Sequence, residues 1–291
     1  MTERALELVG RTVAITGASN GIGRAAAIDL ARRGAKVLLL VRDPARGEAV
    51  RVTIAGLTGD TARARVVECD LASFRSVRRA AKEVRALTPW LDALANNAGV
   101  IAPHREVTAD GHELTFQVNH LSHFLLTREL LPELTHAAGR VVNVSSDAHF
   151  AAWSGLRLHD PGFERGWKPF RAYAHSKLAN IMFTYELAKR LAGTRVTANV
   201  MHPGAVESGW GSRDWGFAGV LWRAFMPKLT AAQGADTLTY LMGAAEVEGV
   251  SGRYLYRRAP KDSSPSSYDR DVQARLWELS EEWTGGSTEG G

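Results

Sequence analysis

The stretch Thr12-Val13-Ala14-Ile15-Thr16-Gly17-Ala18-Ser19-Asn20-Gly21-Ile22-Gly23 sets a β-branched apolar run against a glycine-rich turn, and a helical pattern, 24–33, follows at once. An apolar run without alternation is buried on both faces, as a strand inside a parallel sheet must be. Outward from it the same unit recurs. Strands are predicted at 12–16, 36–41, 64–68, 91–95, 140–145 and 195–200. Apolar spacings of three and four predict helices near 21–33, 44–55, 74–87, 113–134 and 172–191. The alternation predicts an α/β fold: a Rossmann-type, doubly wound parallel sheet of about seven strands, helices on both faces, right-handed crossovers. Ligands of such sheets lie beyond the carboxyl ends of the strands, near the switch in strand order.

The chain has 291 residues, 45% hydrophobic and 23% charged, with no polar linker to divide it, so one globular domain is expected over 1–291. The net charge of +5 is spread out and no run of five basic residues occurs, so no nucleic-acid partner is expected. Cys69 is the only cysteine, which excludes an internal disulfide and a thiolate metal cluster and fits a reducing cytoplasm. The N-terminus lacks an apolar signal core and nowhere are 18 apolar residues consecutive, so neither export nor a membrane span is expected. His120, His123, His149 and His175 lack metal-ligand spacing with Cys or carboxylates, and no metal is expected. The Gly-, Ser- and Thr-rich end, about 284–291, is expected to fray.

The turn after the first strand reads G-xxx-G-x-G. Glycines there let the backbone turn tightly, approach a pyrophosphate and present N–H groups at a helix start. Gly17, Ser19, Asn20, Gly21, Ile22 and Gly23 are therefore candidate cofactor residues, an ordinary Gly-rich βα turn being the alternative. The second strand ends in Arg42-Asp43-Pro44-Ala45-Arg46, with arginine where an acidic residue would bond a ribose 2′-hydroxyl. Arg42 and Arg46 suit a 2′-phosphate, which favours NADPH/NADP+, and Asp43 reads as the cap of the helix that Pro44 opens. Both arginines as solvated surface charges is the other reading.

Tyr173 and Lys177 stand four residues apart on one helix face. A neighbouring cation lowers a phenol's pKa from near 10, as does a positive nicotinamide ring, making tyrosine a workable acid/base. Tyr185 and Lys189 repeat the spacing roughly 18 Å further along the helix. A helix following the fifth strand starts at the carboxyl edge of the sheet, so Tyr173 and Lys177 lie nearer the crevice and Tyr185 reads as packing. Ser145 and Ser146 end the fifth strand there. A serine hydroxyl can polarise a substrate oxygen, and Ser146 is the candidate.

With TGASNGIG (16–23), Asp70, NNAG (96–99), Asn119, Ser145-Ser146, YAHSK (173–177) and HPG (202–204) in order, the chain resembles the short-chain dehydrogenase/reductase family over nearly its whole length. VRDPARG (41–47), VNVSSDAH (142–149), YAHSKLANIMF (173–183) and LWELSEEWTG (276–285) are similar to its retinol dehydrogenase and WW-domain oxidoreductase branch. The 27-residue step from Ser146 to Tyr173 is also similar to that branch. The resemblance implies that Ser146 holds the substrate oxygen and Tyr173 transfers the proton. It implies that Lys177 lowers the tyrosine pKa and binds the ribose, while Asn119 supports a water relay to Lys177. Asp70 and Leu71 would flank the adenine, Asn97, Ala98 and Gly99 would line the cofactor, and Pro203, Gly204 and Val206 would cover the nicotinamide.

The implied activity is that of an NADPH-dependent carbonyl reductase or alcohol dehydrogenase acting on a small molecule, as a homodimer or homotetramer. An epimerase or dehydratase of this fold and a non-catalytic NADPH-binding regulator are the alternatives. A substrate loop and lid fall at about 205–230, carrying Trp210, Trp215, Phe217, Trp222 and Phe225; Phe150, Trp153, Trp167 and Phe170 lie in the insert before Tyr173. Trp210, Trp215 and Trp222 are candidate substrate residues, and the aromatic density fits a bulky apolar or aromatic substrate, or equally a subunit interface or lid packing. Ser208 stands where the family often has threonine, and Asp147 sets a charge beside Ser146.

Overall fold

The computed structural model describes residues 8–205 and 229–285. Unalternating apolar runs become strands wherever both faces can be covered, here β1 (Thr12–Thr16), β2 (Lys36–Val41), β3 (Ala64–Glu68), β4 (Ala93–Asn96), β5 (Arg140–Val144), β6 (Thr197–Met201) and β7 (Tyr254–Tyr256). A short β8 (Ala259–Pro260) completes one sheet in the order β3-β2-β1-β4-β5-β6-β7-β8, parallel except for β8. The strand order reverses between β1 and β4, so the ligand crevice of a doubly wound sheet falls at their carboxyl ends.

Alternate residues of β2 show why the run is apolar throughout. Val37, Leu39 and Val41 join the core under α1 (Gly21–Arg32), α2 (Pro44–Thr58) and α8 (Ala231–Gly243). Leu38 and Leu40 join the core under α3 (Phe74–Leu87), α5 (Ser122–Glu129), α7 (Pro169–Arg190) and α9 (Arg270–Trp283). Cys69 is buried at the end of β3, and burial pushes its thiol up to about 12, so it is inert packing.

Two expectations are corrected; the expected parallel sheet of about seven strands is present, with eight strands among the described residues. The last is joined to β7 by Arg257 and Arg258 at φ 49° and 63°, left-handed positions that local chemistry gives to Asn and Gly. Tertiary contacts hold the second: Asp236 pairs with the Arg258 guanidinium, and the Thr237 hydroxyl accepts from the Arg258 backbone N–H at 3.1 Å. The single helix expected over 113–134 is instead α4 (Leu114–Phe116), a π-turn over Gln117–Leu121, α5, and α6 (Leu131–Ala137) opened by Pro132. The fraying expected from 284 is not seen at Thr284, which is buried and whose carbonyl accepts from Arg78 at 2.5 Å; 286–291 lie outside the described residues.

Candidate active site

The first strand's turn is shaped by close approach. Gly17 takes φ 67°, and a Cβ there would meet the Ala98 Cα and Cβ at 3.0 Å. A Cβ on Gly23 would meet Asn97 Nδ2 and the Gly17 carbonyl oxygen at 2.5 Å. Both glycines thus let the turn lie against Asn97 and Ala98 at the end of β4. Thr16 makes the lock: its hydroxyl accepts from the backbone N–H groups of Asn97 at 2.9 Å and Ala98 at 3.0 Å. The Asn97 amide donates to the Thr16 carbonyl at 2.8 Å. Gly21, at φ 52°, faces open space at the start of α1, whose cap is Asn20. Ser19, Ile22 and Gly99 are partly exposed on the same rim.

At the end of β2, Asp43 caps α2 by accepting from Ala45 N at 3.0 Å and Arg46 N at 3.4 Å, as its place before Pro44 predicted. Arg42 and Arg46 are exposed at the strand's carboxyl end, Arg46 also lying 3.5 Å from the Asp43 carboxylate. Asp70 closes β3, accepting from Ala72 N at 3.0 Å, and Leu71 is buried beside it.

Ser145 and Ser146 part company at the end of β5. The Ser145 hydroxyl is buried and donates to the Lys177 carbonyl at 2.8 Å, pinning α7 to the sheet. Ser146 is partly exposed, caps a short 3-10 turn (Asp147–Ala151) and hydrogen-bonds Tyr173. Lys177 is 3% exposed; its Nζ donates to the Val144 carbonyl at 3.0 Å and lies 5.5 Å from the centre of the Tyr173 ring. Ser146, Tyr173 and Lys177 therefore converge at the carboxyl edge of β5.

The electrostatics differ from the expectation. Burial pushes the Tyr173 phenol up to about 12, against a smaller downward pull from its hydrogen bond with Ser146. Burial also brings Lys177 down to about 8. The same dry surroundings that would strengthen an ammonium's effect on the phenol disfavour both charges. Protein groups alone thus leave Tyr173 protonated at neutral pH, a proton donor.

Asn119 sits in the π-turn with its side chain fully engaged. Its Oδ1 accepts from Val100 N at 2.7 Å, and its Nδ2 donates to the Val100 carbonyl at 3.0 Å and to Ser176 Oγ at 2.9 Å. Single π-turns recur at functional sites, and this one aims Asn119 across to α7. Tyr185, the rival tyrosine, hydrogen-bonds Ser263 at 2.7 Å and stacks on Tyr268, away from the crevice.

Asp147 gathers the far strands. Its Oδ1 accepts from the Tyr254 hydroxyl at 3.1 Å, pairs with Lys261 at 3.4 Å and lies 3.3 Å from Nε2 of His202, at the end of β6. Pro203 and Gly204 follow, Gly204 at φ 79°. In the insert, Trp153 and Phe150 are 83% and 42% exposed, whereas the Trp167 indole donates to buried Glu113 at 3.2 Å. Val206, Ser208, Trp210, Trp215 and Trp222 lie outside the described residues. The sequence reading missed Thr16, His123 and Ser176, whose polar groups join these elements; a His inside an otherwise apolar helix was the available signal. Among the described residues no group of three or more His, Cys, Asp or Glu gathers as a metal site, and no helix is long and apolar enough to cross a membrane.

A doubly wound sheet with a glycine-rich first turn and Ser, Tyr and Lys at the fifth strand defines a nicotinamide oxidoreductase class, and residues 11–158 match the short chain dehydrogenase family model. The chain belongs to that family, in its retinol dehydrogenase-like branch. It is 42% identical to mouse retinol dehydrogenase 14 over 294 residues, covering 95% of this chain and 86% of the relative. To human retinol dehydrogenase 12 it is 41% identical, covering 96% and 88%. Among solved structures, a Mycobacterium paratuberculosis protein described only as uncharacterized aligns with TM-score 0.77 at 37% identity, covering 96% and 94%. An Escherichia coli short chain dehydrogenase complexed with NADPH aligns with TM-score 0.65 at 25% identity, covering 87% and 98%.

Proposed function

We propose that this protein is an NADPH-dependent oxidoreductase that moves a hydride between nicotinamide and a carbonyl or alcohol carbon of a bulky apolar or aromatic substrate. The observation that carries this reading is the convergence of Ser146, Tyr173 and Lys177 at the carboxyl edge of β5, two strands from β1 and its glycine-rich turn. The residues present fit a dinucleotide: close packing at Gly17 and Gly23 with open space beside Gly21 is the cradle a pyrophosphate needs. Arg42 and Arg46, exposed at the end of β2, suit the extra phosphate of NADPH. The NADPH complex of the E. coli relative and the names of the retinol dehydrogenases agree with this choice and with an apolar alcohol or carbonyl.

When bound, the nicotinamide supplies or accepts the hydride. In the reductive direction the Ser146 hydroxyl holds the substrate oxygen and Tyr173, protonated, donates to that oxygen as charge develops on it. Lys177, between the phenol and the Val144 carbonyl, favours the phenolate that results. Asp70 and Leu71 would flank the adenine, Asn97 to Gly99 would line the cofactor, Pro203 and Gly204 would cover the nicotinamide, and Asn119 holds α7 through Ser176. Action in the cytoplasm as a homodimer or homotetramer belongs to the same reading.

The test is to follow NADPH absorbance with a panel of bulky ketones, aldehydes and alcohols, beside fluorescence titrations with NADPH and NADH. Oxidation of NADPH by at least one apolar carbonyl, with NADPH bound more tightly than NADH, is expected. Equal affinities would refute the cofactor choice, and substrate conversion without change in NADPH would favour an epimerase or dehydratase.

A further inference from the structure

We propose that His123 is a positioning residue that ties the phosphate-binding turn to the helix carrying the acid/base, an inference that rests on the functional reading above. His123 lies on α5, 1% exposed, and both ring nitrogens are engaged. Nδ1 is 3.0 Å from the Asn119 carbonyl oxygen, which can only accept, so Nδ1 carries the proton. Burial brings the imidazole down to about 4, with Lys177 adding to the fall, so the ring is neutral at physiological pH. Its Nε2 is therefore an acceptor, 2.9 Å from the Thr16 hydroxyl.

Thr16 completes the assignment. A hydroxyl has one proton and two lone pairs, and the Thr16 oxygen already accepts from Asn97 N and Ala98 N. Its proton goes to His123 Nε2, the Ala95 carbonyl at 3.3 Å being the longer alternative. On the other side the Asn119 amide donates to Ser176 Oγ at 2.9 Å, and Ser176 donates to the Tyr173 carbonyl at 2.7 Å. An unbroken run of buried polar contacts thus leads from Thr16, the residue before the glycine turn, through His123, Asn119 and Ser176 to the backbone of Tyr173. A fully satisfied buried network of this kind fixes one geometry, because any member left unpaired is costly. His123 is the only ring in it and the only member that bonds to both β1 and the π-turn.

Two measurements decide the matter. In imidazole nitrogen NMR of the cofactor-free protein, with His123→Gln for assignment, His123 should be neutral with its proton on Nδ1 between pH 5 and 8. Its Nε2 signal should shift in Thr16→Val, which removes the donor with little change of shape. A proton on Nε2, or no response to Thr16→Val, overturns the assignment whether or not the protein turns over any carbonyl.

In kinetics, His123→Leu should lower kcat by about tenfold to hundredfold with substrate KM and NADPH affinity little changed, as loss of alignment does. Because the Thr16 hydroxyl also accepts from Asn97 N and Ala98 N, Thr16→Val added to His123→Leu should weaken NADPH binding but lower kcat at saturating NADPH little further, since for alignment both break one path. His123→Asn, whose amide can still donate to the Asn119 carbonyl but is too short to reach Thr16, should recover little of the loss. Unchanged kcat in His123→Leu, or losses that multiply in the double variant, would overturn the coupling. A parent protein that oxidises no NADPH would instead defeat the functional reading, and the NMR result would still stand for or against His123.

Discussion

The β1–α1 turn and the β5–α7 junction face the same crevice but are built from different materials. The turn is a backbone site: glycines remove side chains so that N–H groups can be approached, and the essential contacts are within a few residues or with the adjacent end of β4. The β5–α7 junction is a side-chain site. Its residues come from a strand end and a helix 27 positions later, and their protonation is governed by burial more than by neighbouring charge. A backbone site tolerates any polar change that leaves space, whereas a buried titrating site answers to single atoms. That contrast predicts which substitutions disturb binding and which disturb chemistry.

The largest separation is expected from Tyr173→Phe, which removes one oxygen. Turnover should fall by about 10³-fold or more, in the range of lost general acid catalysis, while NADPH affinity in fluorescence titration stays within a few-fold. A parallel loss of affinity would erase the distinction between the two regions. Gly23→Ala should do the reverse. Its Cβ would fall 2.5 Å from Asn97 Nδ2 and the Gly17 carbonyl, and backbone must move to admit it. At a cost of about 1–3 kcal/mol for overpacking, NADPH affinity should drop roughly tenfold to hundredfold, with a lower Tm, and catalysis at saturating NADPH should be largely retained.

A smaller and more selective effect is expected at Arg42. Loss of one charge-assisted contact, about 1.5–3 kcal/mol, should weaken NADPH in Arg42→Ala by roughly tenfold or more and leave NADH unchanged. The smallest effect concerns stability. Because burial lowers the folded-state pKa of Lys177 from 10.5 to about 8, the folded chain binds fewer protons than the unfolded chain between those values. The lysine's contribution therefore becomes more favourable as pH rises through that window. Lys177→Met, tested by urea unfolding without cofactor, should be most stabilising relative to the parent below pH 8, and its advantage should shrink towards pH 10.5. A difference that does not change with pH would contradict the burial account.

Legibility follows the same division. β1, β2, β3 and α3 match their sequence expectation to the residue, because each is an uninterrupted run closed by its own Gly, Pro, Asp or Ser signal. The glycine turn was equally readable. That the Ser145 hydroxyl is taken up by the Lys177 carbonyl while Ser146 lies against Tyr173 is visible only in three dimensions. The π-turn was invisible, since apolar spacings of three and four do not reveal one extra residue in a helix. β8 was hidden for a related reason: two arginines take left-handed angles, the second gripped by Asp236 and Thr237, and no turn residue announces it. The upward shift of Tyr173 was likewise beyond a pattern that places Lys177 one turn away but cannot report how dry the pair would be.

The central claim is that a hydride passes to a carbonyl carbon under the control of Tyr173, and isotope transfer tests it most directly. NADPH deuterated at both positions of nicotinamide C4 would be incubated with an apolar ketone or aldehyde, and the product examined by mass spectrometry and NMR. The account predicts one deuterium on the carbinol carbon with the parent protein and no labelled product with Tyr173→Phe over the same time. Product without deuterium, or labelled product formed equally fast by Tyr173→Phe, would contradict it.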